Sequence, residues 1–163
     1  MRVFGIDPGS LVTGYGVVEE QGNRLQALAW GTVRTSSKHV LSERLKRIYD
    51  GLTEPLQTWQ PDAVSVEQVF FADNPKTALT LGHARGVALL AVAHADVQLV
   101  EYSALEIKMA VVGYGRAAKP QVQQMVKHLL NLHAAPQPAD AADALAAAIC
   151  HMHTHSFRRR LSQ

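Results

Sequence analysis

Four acids in this sequence sit where solubility does not call for one. Asp7 follows the apolar residues 3–6 and precedes Pro8-Gly9-Ser10, so a strand ends in an acid and the chain then turns sharply away. In an open α/β sheet that carboxyl end is where ligands bind; the plainer alternative is an Asp that opens a turn. Glu67 closes Val64-Ser65-Val66 and precedes Val69-Phe70-Phe71, an apolar stretch in which an unpartnered charge is costly to bury. An exposed strand end is the competing reading there. Asp140 and Asp143 lie three apart in Asp140-Ala141-Ala142-Asp143, which on a helix puts both on one face. That pair also fits a capping-box-like helix start stabilised by the helix dipole, yet the small alanines beside it leave room for a close approach.

Together the four have a chemistry. Ligands that are all oxygen suit Mg²⁺ or Mn²⁺, and two such ions about 4 Å apart can activate a water and stabilise the leaving oxygen of a phosphodiester. Hydrolysis of a nucleic-acid backbone is the leading candidate. The 16 Lys and Arg against 14 Asp and Glu give a formal net charge of +2. With the four acids set aside the rest of the chain carries about +6, which suits a polyanionic partner without singling one out.

The elements that position these acids follow from periodicity. Residues 3–6, 13–19 and 25–35 are strand-like, with Gln21-Gly22-Asn23 as a turn, so the opening third reads as a three-stranded antiparallel meander. Leu41, Leu45, Ile48, Tyr49, Leu52, Leu56 and Trp59 then recur at spacings of three and four, predicting a long amphipathic helix closed by Pro61. Residues 62–67 form a fourth strand. Asn74-Pro75 is a helix start with cap and first-turn proline in order, running to about His94, and residues 97–101 form a short fifth strand. From Ser103 the pattern is helical in three pieces, divided at Gly113-Tyr114-Gly115 and at residues 136–138, the last helix starting near Ala139. The fold class is therefore α/β, a mixed sheet of five strands with helices on its faces.

A length of 163 residues predicts one domain, assigned to residues 1–155 with a basic tail at 156–163. A composition 47% hydrophobic and 18% charged excludes a mainly disordered chain. At this size a core forms without a metal or disulfide, so any metal is functional. The single Cys150 fits a reducing compartment. The longest apolar run, residues 87–93, is too short to span a bilayer, and the early Asp7 does not fit a signal peptide. The expected location is the cytoplasm.

Gly5-Ile6-Asp7-Pro8-Gly9-Ser10 with Thr13-Gly14-Tyr15-Gly16, then Val66-Glu67-Gln68-Val69-Phe70, and finally Ala139-Asp140-Ala141-Ala142-Asp143-Ala144-Leu145-Ala146, resemble the RuvC family of Holliday-junction resolvases. The likeness runs through nearly the whole chain in order and includes Gly82-His83-Ala84-Arg85-Gly86-Val87, Lys108-Met109-Ala110-Val111-Val112-Gly113 and Lys119 with Gln121-Val122-Gln123. It implies a ribonuclease-H-like fold, a homodimer, and symmetrical Mg²⁺-dependent nicking of two strands of four-way junction DNA, with Mn²⁺ able to substitute and two ions per site. The products would carry 5′-phosphate and 3′-hydroxyl ends that a ligase can seal. The family's catalytic and metal-binding acids fall on Asp7, Glu67, Asp140 and Asp143, with Asp7 the shared metal ligand; some members carry His at the position of Asp140. The family's DNA-binding lysines fall on Lys108 and Lys119, and its stacking aromatic on Phe70, beside which Phe71 would share or obstruct the role. The RuvA-RuvB branch-migration helicase complex is a further partner the resemblance raises. The two glycines of Gly82-His83-Ala84-Arg85-Gly86 mark either the dimer seam or a crossing of the helix over its own sheet.

Other features take plainer readings. His151, His153 and His155 alternate, and residues two apart on a helix do not face each other, which argues against zinc. Cys150 is a packing residue, and Arg158-Arg159-Arg160 read as a solvated tail. Three functional alternatives compete: an actin-like or sugar-kinase ATPase, which needs two lobes where this length supplies one; a non-catalytic junction-binding module, which the four acids disfavour; and another ribonuclease-H-like nuclease, which would share the metal chemistry.

Overall fold

The computed structural model describes residues 1–22, 24–68 and 74–161. Five strands, β1 (Arg2–Asp7), β2 (Val12–Gln21), β3 (Arg24–Arg34), β4 (Ala63–Glu67) and β5 (Gln98–Tyr102), form one sheet in the order β3-β2-β1-β4-β5. The first three make the antiparallel meander, and β4 and β5 are added parallel to β1. The connection from β4 to β5 is a helix, Pro75–His94, whereas the chain passes from β1 to β4 through β2, β3 and the helix Leu41–Trp59. The mixed α/β sheet agrees with the expected fold class.

β1 is central and its four middle residues are buried, so it has an inside on both faces. Phe4 and Ile6 face one core, with Val17, Val64 and Val66, against α1 (Leu41–Trp59) and α2 (Pro75–His94). Val3 and Val18 face the other, against α3 (Ala104–Val112), α4 (Lys119–Leu129) and α5 (Ala139–Leu161). The three- and four-residue spacing along α1 works as read: Ile48, Leu52 and Leu56 are buried. The helix passes through Pro55, forfeiting one backbone bond, and stops at Gln60 in the left-handed region just before Pro61. At the start of α2 the Asn74 side chain accepts from Thr77 N at 2.9 Å, with Pro75 in the first turn.

The alanine run of α5 is what brings the last two acids to the sheet. Ala141, Ala142, Ala144 and Ala146–Ala148 have at most 1% exposure, and the strands opposite them carry glycine. A Cβ on Gly5 would collide with the Ala144 carbonyl, one on Gly16 would lie 2.6 Å from the Leu145 side chain, and one on Gly14 would collide with the Asp140 carbonyl. Helix backbone therefore rests directly on strand backbone along β1 and β2. Ser65 adds a buried tie, its hydroxyl donating to the Ala147 carbonyl at 2.7 Å. At its other end α5 continues through Ser156, Phe157 and Arg158 to Leu161, so residues 156–161 extend the helix. Asp140 is the second residue of α5, inside its first turn and not at its cap. No helix among the described residues is long and apolar enough to cross a membrane.

Candidate active site

Parallel pairing sets the first two acids side by side. Ile6 pairs with Val66, so Asp7 and Glu67 follow one another at the same end of adjacent strands β1 and β4. The close fit of α5 over Gly14 on β2 fixes its first turn, bearing Asp140, on the other flank of Asp7. Asp143, one turn on, joins Glu67, Lys108 and Lys119 in lining a cavity of about 270 Å³ whose apolar wall is Ala104, Ile107, Val122 and Ala146. The sequence spaces these acids far apart; the register of β4 on β1 and the glycine contacts of α5 bring them together.

The convergence has electrostatic consequences. Burial first, then the charges of Asp143, Glu67 and Asp140, pushes the Asp7 carboxyl up to about 7, with Lys119 acting the other way. Glu67 is likewise raised, by burial first and by Asp143, against the opposing charges of Lys108 and Lys119. Lys119 Nζ lies 2.5 Å from Asp143 Oδ2, and this bond holds its ammonium above the usual lysine range although partial burial opposes it. Like charges held this close favour a cation.

The donor set is all oxygen and crowded with negative charge, which fits a hard divalent cation. Among the described residues no three ligating side chains already converge closely enough to hold an ion; the Lys119 ammonium occupies part of that electrostatic role. Of the residues singled out in the sequence, Asp7, Glu67, Asp140, Asp143, Lys108 and Lys119 thus meet at one end of the sheet. Phe70 and Phe71 lie outside the described residues. The alternating histidines form no ligating group, and His151 is instead a buried partner of Tyr102, whose hydroxyl stands 2.9 Å from its Nδ1.

Two supports escaped the sequence reading. Tyr102 pairs with Glu67 across β4 and β5, and its carbonyl accepts from Gln68 N at 2.8 Å, so the Tyr102–His151 pair braces the end of the strand that bears Glu67. On the other side the turn after Asp7 is clasped: Thr13 Oγ1 donates to the Gly9 carbonyl at 2.7 Å, and Arg44 Nη2 and Thr35 Oγ1 donate to the Ser10 carbonyl at 2.7 and 2.8 Å. Both depend on contacts between residues distant in sequence, for which periodicity gives no signal.

Comparison with known proteins bears on this geometry. A family model described as "Crossover junction endodeoxyribonuclease RuvC" matches residues 3–151. The chain is 56% identical over 153 residues to the crossover junction endodeoxyribonuclease RuvC of Syntrophotalea carbinolica, covering 94% of each chain. With the protein of the same description from Alkaliphilus metalliredigens it shares 51% over 158 residues, 97% of this chain and 96% of the other. Among solved structures, Thermus thermophilus RuvC in complex with a Holliday junction substrate superposes with a TM-score of 0.92 at 38% identity, covering 96% of both chains.

Proposed function

The chain belongs to the RuvC family of crossover junction endodeoxyribonucleases, and from that premise we infer that it resolves four-way DNA junctions by metal-dependent phosphodiester hydrolysis at Asp7, Glu67, Asp140 and Asp143. The observation that carries the assignment of the site is the crowding of these acids around Asp7, whose carboxyl is pushed up to about 7. A purely structural cluster of this kind would only destabilise the fold.

Asp7, with Glu67 on the neighbouring strand and the first turn of α5 on its other flank, would be the ligand common to both ions. Mg²⁺, two per site in this reading and replaceable by Mn²⁺, would supply Lewis-acid stabilisation of the charge that develops on the phosphate oxygens and lower the pKa of water. The protein's own contribution is orientation. Three backbone segments, two strand ends and one helix locked to the sheet by glycine contacts, fix where the carboxylates are anchored, so that what is left to cation and substrate binding is rearrangement of side chains, the release of Asp143 by Lys119 included. Lys119 and Lys108 border the same cavity as Glu67 and Asp143. There they place positive charge against the cut strand, and Lys119 exchanges its bond to Asp143 for one to phosphate. Phe70, three residues after Glu67 in the sequence, is assigned to stacking on an unpaired base at the crossover.

Paired incision needs two sites, and α2 offers the seam for a homodimer. Leu79 and Leu90 are 66% and 48% exposed, and nothing lies within 4 Å of a Cβ built on Gly82 or Gly86. These glycines thus face outward, away from the protomer's own sheet. A two-fold pair of such helices would present equivalent sites to equivalent strands. On family grounds the proposal extends to the RuvA-RuvB helicase complex as a partner and to the cytoplasm as the place of action.

The test is Mg²⁺-dependent cleavage of a synthetic four-way junction, run beside linear duplex, an RNA–DNA hybrid and Asp7→Asn protein. Paired, ligatable nicks confined to the junction and absent from Asp7→Asn are expected, with junction binding retained by the variant. Binding without cleavage in Mg²⁺ and Mn²⁺ alike would favour the non-catalytic module.

A further inference from the structure

The lysines named above lie on the β4–β5 side of the acids. On the other side, where β3 gives way to α1, stands a second group of cations that the mechanism does not use. Residues 34–47 hold five Lys or Arg (Arg34, Lys38, Arg44, Lys46, Arg47) against the one acid Glu43, in a chain whose net charge is +2. Arg34, Lys38, Lys46 and Arg47 are exposed. Lys46 is spent on Asp50 at 2.5 Å, whereas Arg34, Lys38 and Arg47 make no ion pair within 4 Å among the described residues. Arg34, Lys46 and Arg47 share a groove with Glu43, Asp50 and Glu54; Glu43 stands in the first turn of α1 and the other two acids lie farther along it, so the positive excess of the corner comes from Arg34 and Lys38 ahead of the helix together with Arg44 and Arg47 on it.

That corner is at the catalytic end of the sheet and is fastened to the catalytic turn. Asp7 pairs with Gly14, Gly14 with Thr32, and Arg34 lies two residues beyond, which puts the Arg34 and Asp7 backbones about 12 Å apart. Arg44 and Thr35 both donate to the Ser10 carbonyl, and Thr35 N donates to Leu11 O at 2.8 Å. The cations are thus held at a fixed offset from the acids, on the flank opposite Lys108 and Lys119. Unpaired, exposed and spread along an edge, such charges suit a regularly spaced polyanion better than one small ligand.

We propose that the β3–α1 corner, through Arg34, Lys38 and Arg47, binds the sugar-phosphate backbone of a duplex arm of the junction outside the cut strand. The proposal rests on the nuclease reading above and deepens it. The acids between the two basic flanks would then be crossed by the cut strand while the corner holds the arm it leads into. Contacts of this kind carry position and affinity without sequence preference.

The test replaces Arg34, Lys38 and Arg47 by Gln, singly and together, and measures junction affinity against salt concentration for the full chain. Arg24→Gln, at the opposite end of β3, is the charge-matched control. Each lost contact is expected to lower the slope of log affinity against log salt by about 0.9 and to weaken binding about tenfold near 0.1 M salt. Cleavage at saturating protein and Arg24→Gln binding should be unchanged. An unaltered slope in the triple variant would overturn the proposal and leave the corner to some other partner, such as an acidic protein surface. A fall in saturated cleavage with affinity intact would overturn it too, by making the corner a positioning device. Wild-type protein that binds no junction would defeat the nuclease reading itself, and the wild-type curve alone distinguishes that case.

Discussion

Replacing Gly14 by Ala is the most demanding test of how the site is held. The position is on β2, away from every acid in sequence, yet an added Cβ would run into the Asp140 carbonyl and stand 3.0 Å from Ala141 N. The first turn of α5 must then lift by about 1.4 Å to restore the 3.4 Å of ordinary contact, and even a 1 Å misplacement of catalytic groups costs on the order of 10²-fold in rate. That corresponds to about 3 kcal/mol of barrier. Stability should fall by about 1–3 kcal/mol, the usual cost of overpacking, because the rest of α5 stays docked through its alanines. The assay is single-turnover junction cleavage with protein in excess, accompanied by junction binding and thermal unfolding. The expected result is a loss of about two orders of magnitude in cleavage rate with binding preserved. Cleavage within threefold of wild type in a protein of unchanged Tm would refute the argument that strand–helix contact sets the geometry of the acids.

Other expectations follow from individual groups. Because burial and neighbouring acids hold the Asp7 carboxyl near 7, well above the usual 3.8, the folded protein keeps a proton that the unfolded chain releases between about pH 4 and 7. Metal-free stability should therefore decline across that window; Asp7→Asn should flatten the decline and be more stable by at least about 1 kcal/mol at pH 8, and identical pH profiles from urea unfolding would contradict this. Adding Mg²⁺ at pH 8 should raise the Tm of wild type more than that of Asp7→Asn, and equal shifts would count against Asp7 as a ligand. Lys119→Met should slow saturated cleavage by about 10²-fold or more while changing stability by under about 1 kcal/mol, since the ion pair with Asp143 is largely solvent-facing on the lysine side. Tyr102→Phe should destabilise by about 1–3 kcal/mol, since it strips the buried His151 of its hydroxyl partner while Nε2 has none among the described residues; unchanged urea unfolding would argue that a water replaces the tyrosine.

Much of the frame was legible from local pattern. Strand ends marked by Asp7-Pro8-Gly9, the Asn74-Pro75 helix start and the spacing from Leu41 to Trp59 are local signals, and each coincides with an element boundary in the fold. The site acids were legible for a different reason, since each is an acid in a setting that would otherwise disfavour one. The partnerships among residues were not legible. Lys119 reads as a surface lysine until α4 is packed beside α5, and only then does it meet Asp143. His151 and Tyr102, separated by 49 positions, share a bond that depends on where α5 crosses β5. Arg158 reads as part of a loose terminus because nothing local stops or continues α5 there; the tie from Ser156 to Glu20 at 3.4 Å joins that end to β2.

The order of elements along the chain also sets when the enzyme comes into being. Asp7 belongs to the first strand made, Glu67 to the fourth, and Asp140 and Asp143 to the final helix. At ordinary translation speeds roughly ten seconds separate the first acid from the last. In the reading proposed above, a nascent chain in that interval has no means of cutting DNA. Docking of α5 completes the core over Gly5, Gly14 and Gly16 and brings in Asp140 and Asp143 in the same event, so on the proposed assignment a ribosome that stalls before that helix would release a fragment without nuclease activity.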